Sequence, residues 1–198
     1  MALAKTSIRG MDRLVDRLDE AVRLSNVADI TESLKHHLCE MVEEGDLDLP
    51  EDFCTPCEDH YARRLLYRSE DLGYVVVAMI WGPNQGTPLH DHAGSWCVEG
   101  VYKGQIEVTQ YELLEHDGQR YRFQRQETVR TGVATAGSLI PPFEHHTICN
   151  ANGDSTAVTL HVYGREMERC SIFEPVADSS SDQHHWYARQ TRPLSYDN

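Results

Sequence analysis

The chain has 198 residues, too long for a mini-protein and short for two full domains, so a single domain with an appended element is expected. Lys and Arg total 18 against 32 Asp and Glu, a formal charge of -14, and such a surface repels phosphate backbones and anionic headgroups, which speaks against nucleic-acid or peripheral-membrane partners. At 40% hydrophobic and 25% charged residues the composition excludes a disordered chain.

Taken in order, the first ~50 residues read as helical. Met11, Leu14, Val15, Leu18 and Val22 recur at steps of three and four, one apolar stripe on a helix. A second helix is expected from Asp29, with Glu32 completing a capping box, Ile30, Leu34, Leu38 and Met41 on its buried stripe, and Gly45 as its stop. The charged stretch KTSIRGMDRLVDRLDE interrupts any apolar leader, and the longest apolar run, residues 75–81, is far below the ~20 residues of a membrane span. A cytoplasmic protein is therefore expected, with its six cysteines (Cys39, Cys54, Cys57, Cys97, Cys149, Cys170) as thiols.

Residues 46–58 are acidic and proline-containing, a connector. Beyond them the pattern becomes β: residues 63–68 and 74–81 form a predicted hairpin across SEDLG, then GPNQGT makes a glycine/proline turn. Further strands are predicted at 89–92, 96–102, 105–111, 120–125, 127–130, 145–149 and 156–163, separated by turn signals. This succession predicts an all-β sandwich or barrel behind the N-terminal helices. The division expected is a helical segment at 1–58, a barrel at 59–177, and a serine-rich, polar tail at 178–198 that is frayed or draped over the barrel.

Eleven histidines are unevenly placed. In His90-Asp91-His92, residues two apart on a strand share a face, so the two imidazoles project together. His145 and His146 are adjacent and face opposite ways, so one of them can join the pair. Three neutral imidazoles fit Zn, Fe, Cu or Ni and leave coordination positions open. Thr159, His161 and Tyr163 alternate on one strand and can form a hydroxyl–imidazole–phenol relay. In YARRLLY, Arg63 offers a guanidinium fork suited to a carboxylate, and Arg64 faces the other way.

GTPLHDHAGSWCVEGVYKG is similar to a first cupin motif, and PPFEHHTICN followed by AVTLHVYG to a second. Over residues 61–163 the chain resembles thiol dioxygenases of the cysteine dioxygenase type. That resemblance implies a cupin barrel (a double-stranded β-helix or jelly roll), ferrous iron held by His90, His92 and His146, and a substrate carboxylate held by Arg63 and Tyr61. His146 is preferred to His145 because it begins H-T-I-C-N. Most cupins carry a carboxylate ligand five residues after the second histidine; here that position is Cys97, which in the resemblance joins Tyr163 in a thioether. Glu99 shares the strand face of Cys97 but does not fit that spacing. The family's relay matches Thr159, His161 and Tyr163.

The implied reaction adds both atoms of dioxygen to the sulfur of L-cysteine, the thiol and dioxygen being the only partners expected of a monomer. Arg63 and Cys97 favour cysteine. Gly164-Arg165 stands where cysteine-specific enzymes commonly have Ser-Pro and favours 3-mercaptopropionate. The competing readings are a zinc or nickel cupin performing isomerisation or hydrolysis, and a metal-binding cupin without thiol oxidation. Cys54-Thr-Pro-Cys57 reads as two loop thiols, and His36, His37, His184 and His185 as solvated side chains.

Overall fold

The computed structural model describes residues 8–176 and 184–197. Two helices open it, α1 (Met11–Val22) and α2 (Val27–Glu43), followed by a 3-10 turn at Glu51–Phe53. The start of α2 differs from the expected one: Asn26, not Asp29, is the N-cap, and its side chain accepts the Asp29 backbone N–H at 3.0 Å. Gly45 follows the helix at φ 65°, a conformation open to glycine without strain.

The strands are β1 (Ala62–Arg68), β2 (Val75–Trp81), β3 (Leu89–His90), β4 (Cys97–Lys103), β5 (Gln105–His116), β6 (Arg120–Gly132), β7 (Ala136–Leu139), β8 (His146–Asn150), β9 (Ala157–Tyr163), β10 (Arg169–Pro175) and β11 (His184–Pro193). They form two antiparallel sheets, one in the order β1-β2-β9-β4-β7 and one closed in the order β10-β11-β6-β5-β8-β3. The fold is an all-β jelly-roll barrel with N-terminal helices, as expected.

Alternation along β2, β4 and β9 assigns the two faces of the first sheet. Val76, Ala78, Ile80, Val98, Val158, Leu160 and Val162 meet Leu14, Leu18, Leu34, Leu38 and Met41 of the helices. Each fully buried aliphatic side chain there stabilises the fold by roughly 1.5–3 kcal/mol. Gly100 admits α2 closely, since a Cβ there would lie 3.2 Å from the Leu38 side chain. The opposite face carries Val75, Val77, Met79, Trp81, Cys97 and Tyr163 into the barrel. These strands are buried on both faces, which is why they read as continuous apolar runs.

Several boundaries differ from the expected ones. Residues 120–130 form one strand, not two, because β6 pairs with β5 almost throughout. β7 was hidden by its small residues (AGSL), and β10 by its polar composition. β11 is a barrel strand rather than a loose tail: it pairs with both β10 and β6. The serine-rich stretch through residue 183, and the side chains of His184 and His185, lie outside the described residues.

Candidate metal centre

The barrel brings His90, His92 and His146 together. β3 and β8 are antiparallel, with His90 directly opposite His146. β3 ends at His90, so His92 lies beyond the strand and not on it as expected. The turn that follows still aims its ring at the pair: ring centroids are 4.5 Å apart for His90–His146, 5.2 Å for His90–His92 and 5.1 Å for His92–His146. One nitrogen from each ring lies within 4.8 Å of the others. His145 points away and is wedged between Phe123 and Phe173, at 5.0 and 5.5 Å.

The local backbone sets the tautomers. His90 Nδ1 lies 3.1 Å from the Pro88 carbonyl and His146 Nδ1 lies 3.2 Å from the Glu144 carbonyl. A carbonyl only accepts, so Nδ1 carries the proton in both rings and the Nε2 of His90 presents a lone pair, whereas at His146 the facing Glu99 outweighs burial and raises the pKa. His92 is held by its backbone N–H, which donates to Glu144 Oε2 at 2.7 Å. Burial holds the pKa of His90 down to about 3, with His146 adding to the effect, and keeps His92 well below the ordinary range, so both rings are neutral at physiological pH.

The buried nitrogens of His92 and the Nε2 of His146 make no hydrogen bond. Buried polar atoms without partners are costly, and three converging imidazole donors are the pattern a divalent transition ion satisfies. The residues therefore fit a metal ion.

β9 places the expected relay beside the histidines. The Trp81 indole donates to Thr159 Oγ1 at 3.0 Å, and Thr159 Oγ1 lies 2.7 Å from His161 Nε2. Because the indole can only donate, the Thr159 proton serves His161 Nε2, and Nδ1 keeps its own proton. That nitrogen faces Tyr163 Oη at 3.2 Å. Cys97 on β4 stands directly across from Tyr163 on β9. Burial, and then the neighbouring Glu99, raises the Cys97 pKa well above its ordinary value, so it is a thiol at neutral pH; burial and Cys97 likewise raise Tyr163.

Arg63 is 7% exposed and shares a cavity of about 50 Å³ with Tyr61, His90, His161 and Tyr163. A cavity of that size holds about four waters or one small metabolite, not a peptide. Tyr61 stacks on Trp81 at 4.8 Å. Arg64 turns outward, as expected, and donates to the Thr55 carbonyl.

Three contributions were not anticipated. The first is the stretch after β11. Asp197 accepts the Arg63 N–H at 2.8 Å and donates its own to the Arg63 carbonyl at 2.7 Å, the Ser195 carbonyl accepts Arg63 Nη1 at 3.2 Å, and the Tyr196 ring lies 5.4 Å from the guanidinium. No periodicity in this polar segment signals its position.

The second is Trp81, which anchors both the relay and Tyr61. The third is Glu99, a buried carboxylate whose Oε1 lies 3.3 Å from both His146 Nε2 and His161 Nδ1. Burial alone would raise its pKa, but the two imidazoles outweigh burial and hold it well below the usual carboxylate range. The signal for Glu99 was its shared strand face with Cys97. Gly164 has a local cause: a Cβ there would fall 2.5 Å from the Trp96 indole.

No helix among the described residues is long and apolar enough to cross a membrane. Over 99 residues the chain is 21% identical to cysteine dioxygenase type 1 of Rattus norvegicus and 24% identical to that of Danio rerio, covering 50% of this chain and 48% and 49% of theirs. The chain thus spans about half the length of the curated relatives it matches. Among solved structures it is similar, at a TM-score of 0.45 and 16% identity, to a Klebsiella pneumoniae protein with a double-stranded β-helix domain, covering 61% of this chain and 85% of that one. The family model for cysteine dioxygenase type I matches residues 53–175, well over half of the chain and every strand from β1 to β10. The chain belongs to the cysteine dioxygenase type I family.

Proposed function

We propose that the protein is a non-haem iron thiol dioxygenase that converts L-cysteine to cysteine sulfinic acid, with 3-mercaptopropionate as the second candidate substrate. The observation that carries this reading is the convergence of the His90, His92 and His146 rings, with nitrogens of His92 and His146 that make no hydrogen bond, at the edge of a small cavity that His90 shares with the buried Arg63. The first suits a transition ion and the second a carboxylate, so together they select a small acid with a metal-binding group. Membership in the family makes that group a thiol.

In this reading His90, His92 and His146 hold Fe(II). When bound, the iron supplies a Lewis-acidic, redox-active centre for the thiolate and dioxygen. Arg63 pairs with the substrate carboxylate through two charge-assisted hydrogen bonds and turns the sulfur toward the histidines. Tyr61 walls the cavity and keeps water from the guanidinium. His161 holds its Nδ1 proton at Tyr163 Oη, because Thr159 and Trp81 occupy its other nitrogen. Tyr163 thereby keeps an oriented phenol at the reacting end of the cavity.

The stoichiometry is thiol plus dioxygen to sulfinic acid, with every atom retained. Cys97 and Tyr163, opposed across β4 and β9, are the pair proposed to form a thioether. None of the six cysteines is in a disulfide, which supports the reading of a cytoplasmic protein; the protein is proposed to act as a monomer.

A metal-binding protein without thiol oxidation is the alternative. Oxygen consumption by the iron-loaded protein across a panel of small thiols separates the two. Uptake confined to thiols bearing a carboxylate is expected. Tight iron retention with no thiol-dependent uptake would establish the alternative.

A further inference from the structure

Outside the histidine centre, a second group of metal-ligating side chains stands where the chain enters β1. One donor atom from each of Cys57, His60 and Asp197 lies within 4.8 Å of the other two. The group joins distant parts of the chain, since Cys57 and His60 precede β1 and Asp197 follows β11. Cys54 of the same loop takes no part, so the unit is Cys57-Glu-Asp-His60 and not the paired thiols.

Each member is held by an atom other than the one it offers. His60 Nδ1 lies 2.6 Å from Asp59 Oδ1, which leaves Nε2 facing the group. A carboxylate behind the far nitrogen is the usual support of a metal-bound imidazole. Asp197 Oδ2 accepts the Arg63 N–H at 2.8 Å, which leaves Oδ1 at 3.1 Å from His60 Nε2. The Cys57 carbonyl accepts Gln85 Nε2 at 2.8 Å, and Gln85 Oε1 accepts the Gly82 N–H at 2.7 Å, so the residues after β2 fix the loop.

A proton on His60 Nε2 accounts for the approach of His60 to Asp197, but a proton needs no third donor. Sulfur, imidazole and carboxylate together suit zinc and disfavour magnesium or calcium, which take oxygen ligands. Tetrahedral zinc sets such ligands about 3.3–3.8 Å apart. The His60–Asp197 spacing then changes by a few tenths of an ångström and the sulfur moves by about 1 Å or less, within reach because the His60 side chain is half exposed.

We propose that Cys57, His60 and Asp197 form a second metal site, for Zn(II), that fastens the stretch after β11 to the start of β1. The ion replaces the His60 Nε2 proton and the Cys57 thiol proton, both released to solvent, and keeps a fourth position for water. What it fastens is the segment that holds Arg63: Asp197 exchanges two hydrogen bonds with Arg63 at the backbone, and the Ser195 carbonyl accepts Arg63 Nη1. Zinc thereby steadies the wall of the Arg63 cavity that Arg192 and Leu194 line. The assignment stands whether or not the histidine centre oxidises thiols.

The test titrates the metal-free protein with Co(II), whose bond to a thiolate gives a near-ultraviolet charge-transfer band that three imidazoles cannot. Wild type should take two equivalents and show the band. His92→Ala, which disables the histidine centre, should take one equivalent and keep it. Zn(II) should abolish the band and Mg(II) leave it. Cys57→Ala should lose the band. The exposed His60→Ala, which decides the matter if the cysteine variant fails to fold, should weaken the band-forming site at least about tenfold. Hydrogen exchange over residues 188–198 should slow at least about tenfold when Zn(II) is added to His92→Ala.

No thiolate band in wild type overturns the site. So does a band that survives Cys57→Ala, as ligation by Cys97 would produce, or an affinity unchanged in His60→Ala. A band that obeys these substitutions while zinc leaves the exchange unaltered overturns the fastening.

Discussion

Replacing Arg63 with glutamine removes the charge that the proposed function assigns to the substrate carboxylate. Arg63 is 7% exposed and lines a cavity of about 50 Å³, so bulk water screens it little. A carboxylate there would make two charge-assisted hydrogen bonds, each worth about 1.5–3 kcal/mol. Losing one partner of a buried pair costs about 3–5 kcal/mol. Glutamine keeps one neutral donor, so the lower part of that range applies, and kcat/KM for L-cysteine should fall roughly 10²- to 10³-fold.

The control is cysteamine, which has the same thiol and amine but no carboxylate. Its oxygen uptake should change by less than about threefold, because the contact removed by mutation is one it never made. The assay is initial-rate oxygen consumption with both thiols on iron-loaded protein, alongside thermal melts. A parallel loss for the two thiols would show that Arg63 shapes the cavity and does not bind the carboxylate. A loss below tenfold for cysteine would refute the reasoning as well.

Three other consequences follow. Tyr74, just before β2, is fully buried and donates to Asp19 Oδ1 of α1 at 2.7 Å, so Tyr74→Phe should destabilise the fold by about 1.5 kcal/mol. For a chain of this size that lowers Tm by about 3–6 °C, and an unchanged Tm would show that water replaces the bond at no cost. Gly164→Ala drives a Cβ into the Trp96 indole and should destabilise by about 1–3 kcal/mol in denaturant titration; a neutral result would mean that Trp96 swings aside. Joining Cys97 to Tyr163 releases two hydrogens to an oxidant, dioxygen here, so the crosslinked protein should be about 2 Da lighter by intact mass. Active enzyme at full mass would make Cys97 a bystander.

The histidine cage and relay were legible because strand alternation is a strict geometric rule. Thr159, His161 and Tyr163 are two apart, and β9 keeps them on one face. His92 converges for a different reason, since β3 has ended and the turn after it directs the ring. Glu99 was set aside on spacing counted along the chain, whereas the barrel interior accepts any residue on the inward face of β4. Its surroundings are His146 and His161, which lie 47 and 62 residues further on and which no linear motif ties to it.

The stretch after β11 escaped for a related reason. Asp197 and Ser195 act through backbone atoms and a register with Arg63, and polar residues show no periodicity when the backbone makes the contact. Gly164, read together with Arg165 as a sign of substrate preference, also meets a packing requirement at Trp96 that linear spacing does not show.

In the proposed function, His90, His92 and His146 would hold the iron at which both atoms of one dioxygen molecule reach the sulfur of a carboxylated thiol. The most direct test is turnover of L-cysteine by the iron-loaded protein under ¹⁸O₂, with mass spectrometry of the product and His92→Ala as the control. Wild type should yield a sulfinic acid carrying two heavy oxygens, and the variant neither bound iron nor product. Disulfide with hydrogen peroxide, a singly labelled product, or full turnover by His92→Ala would contradict that function.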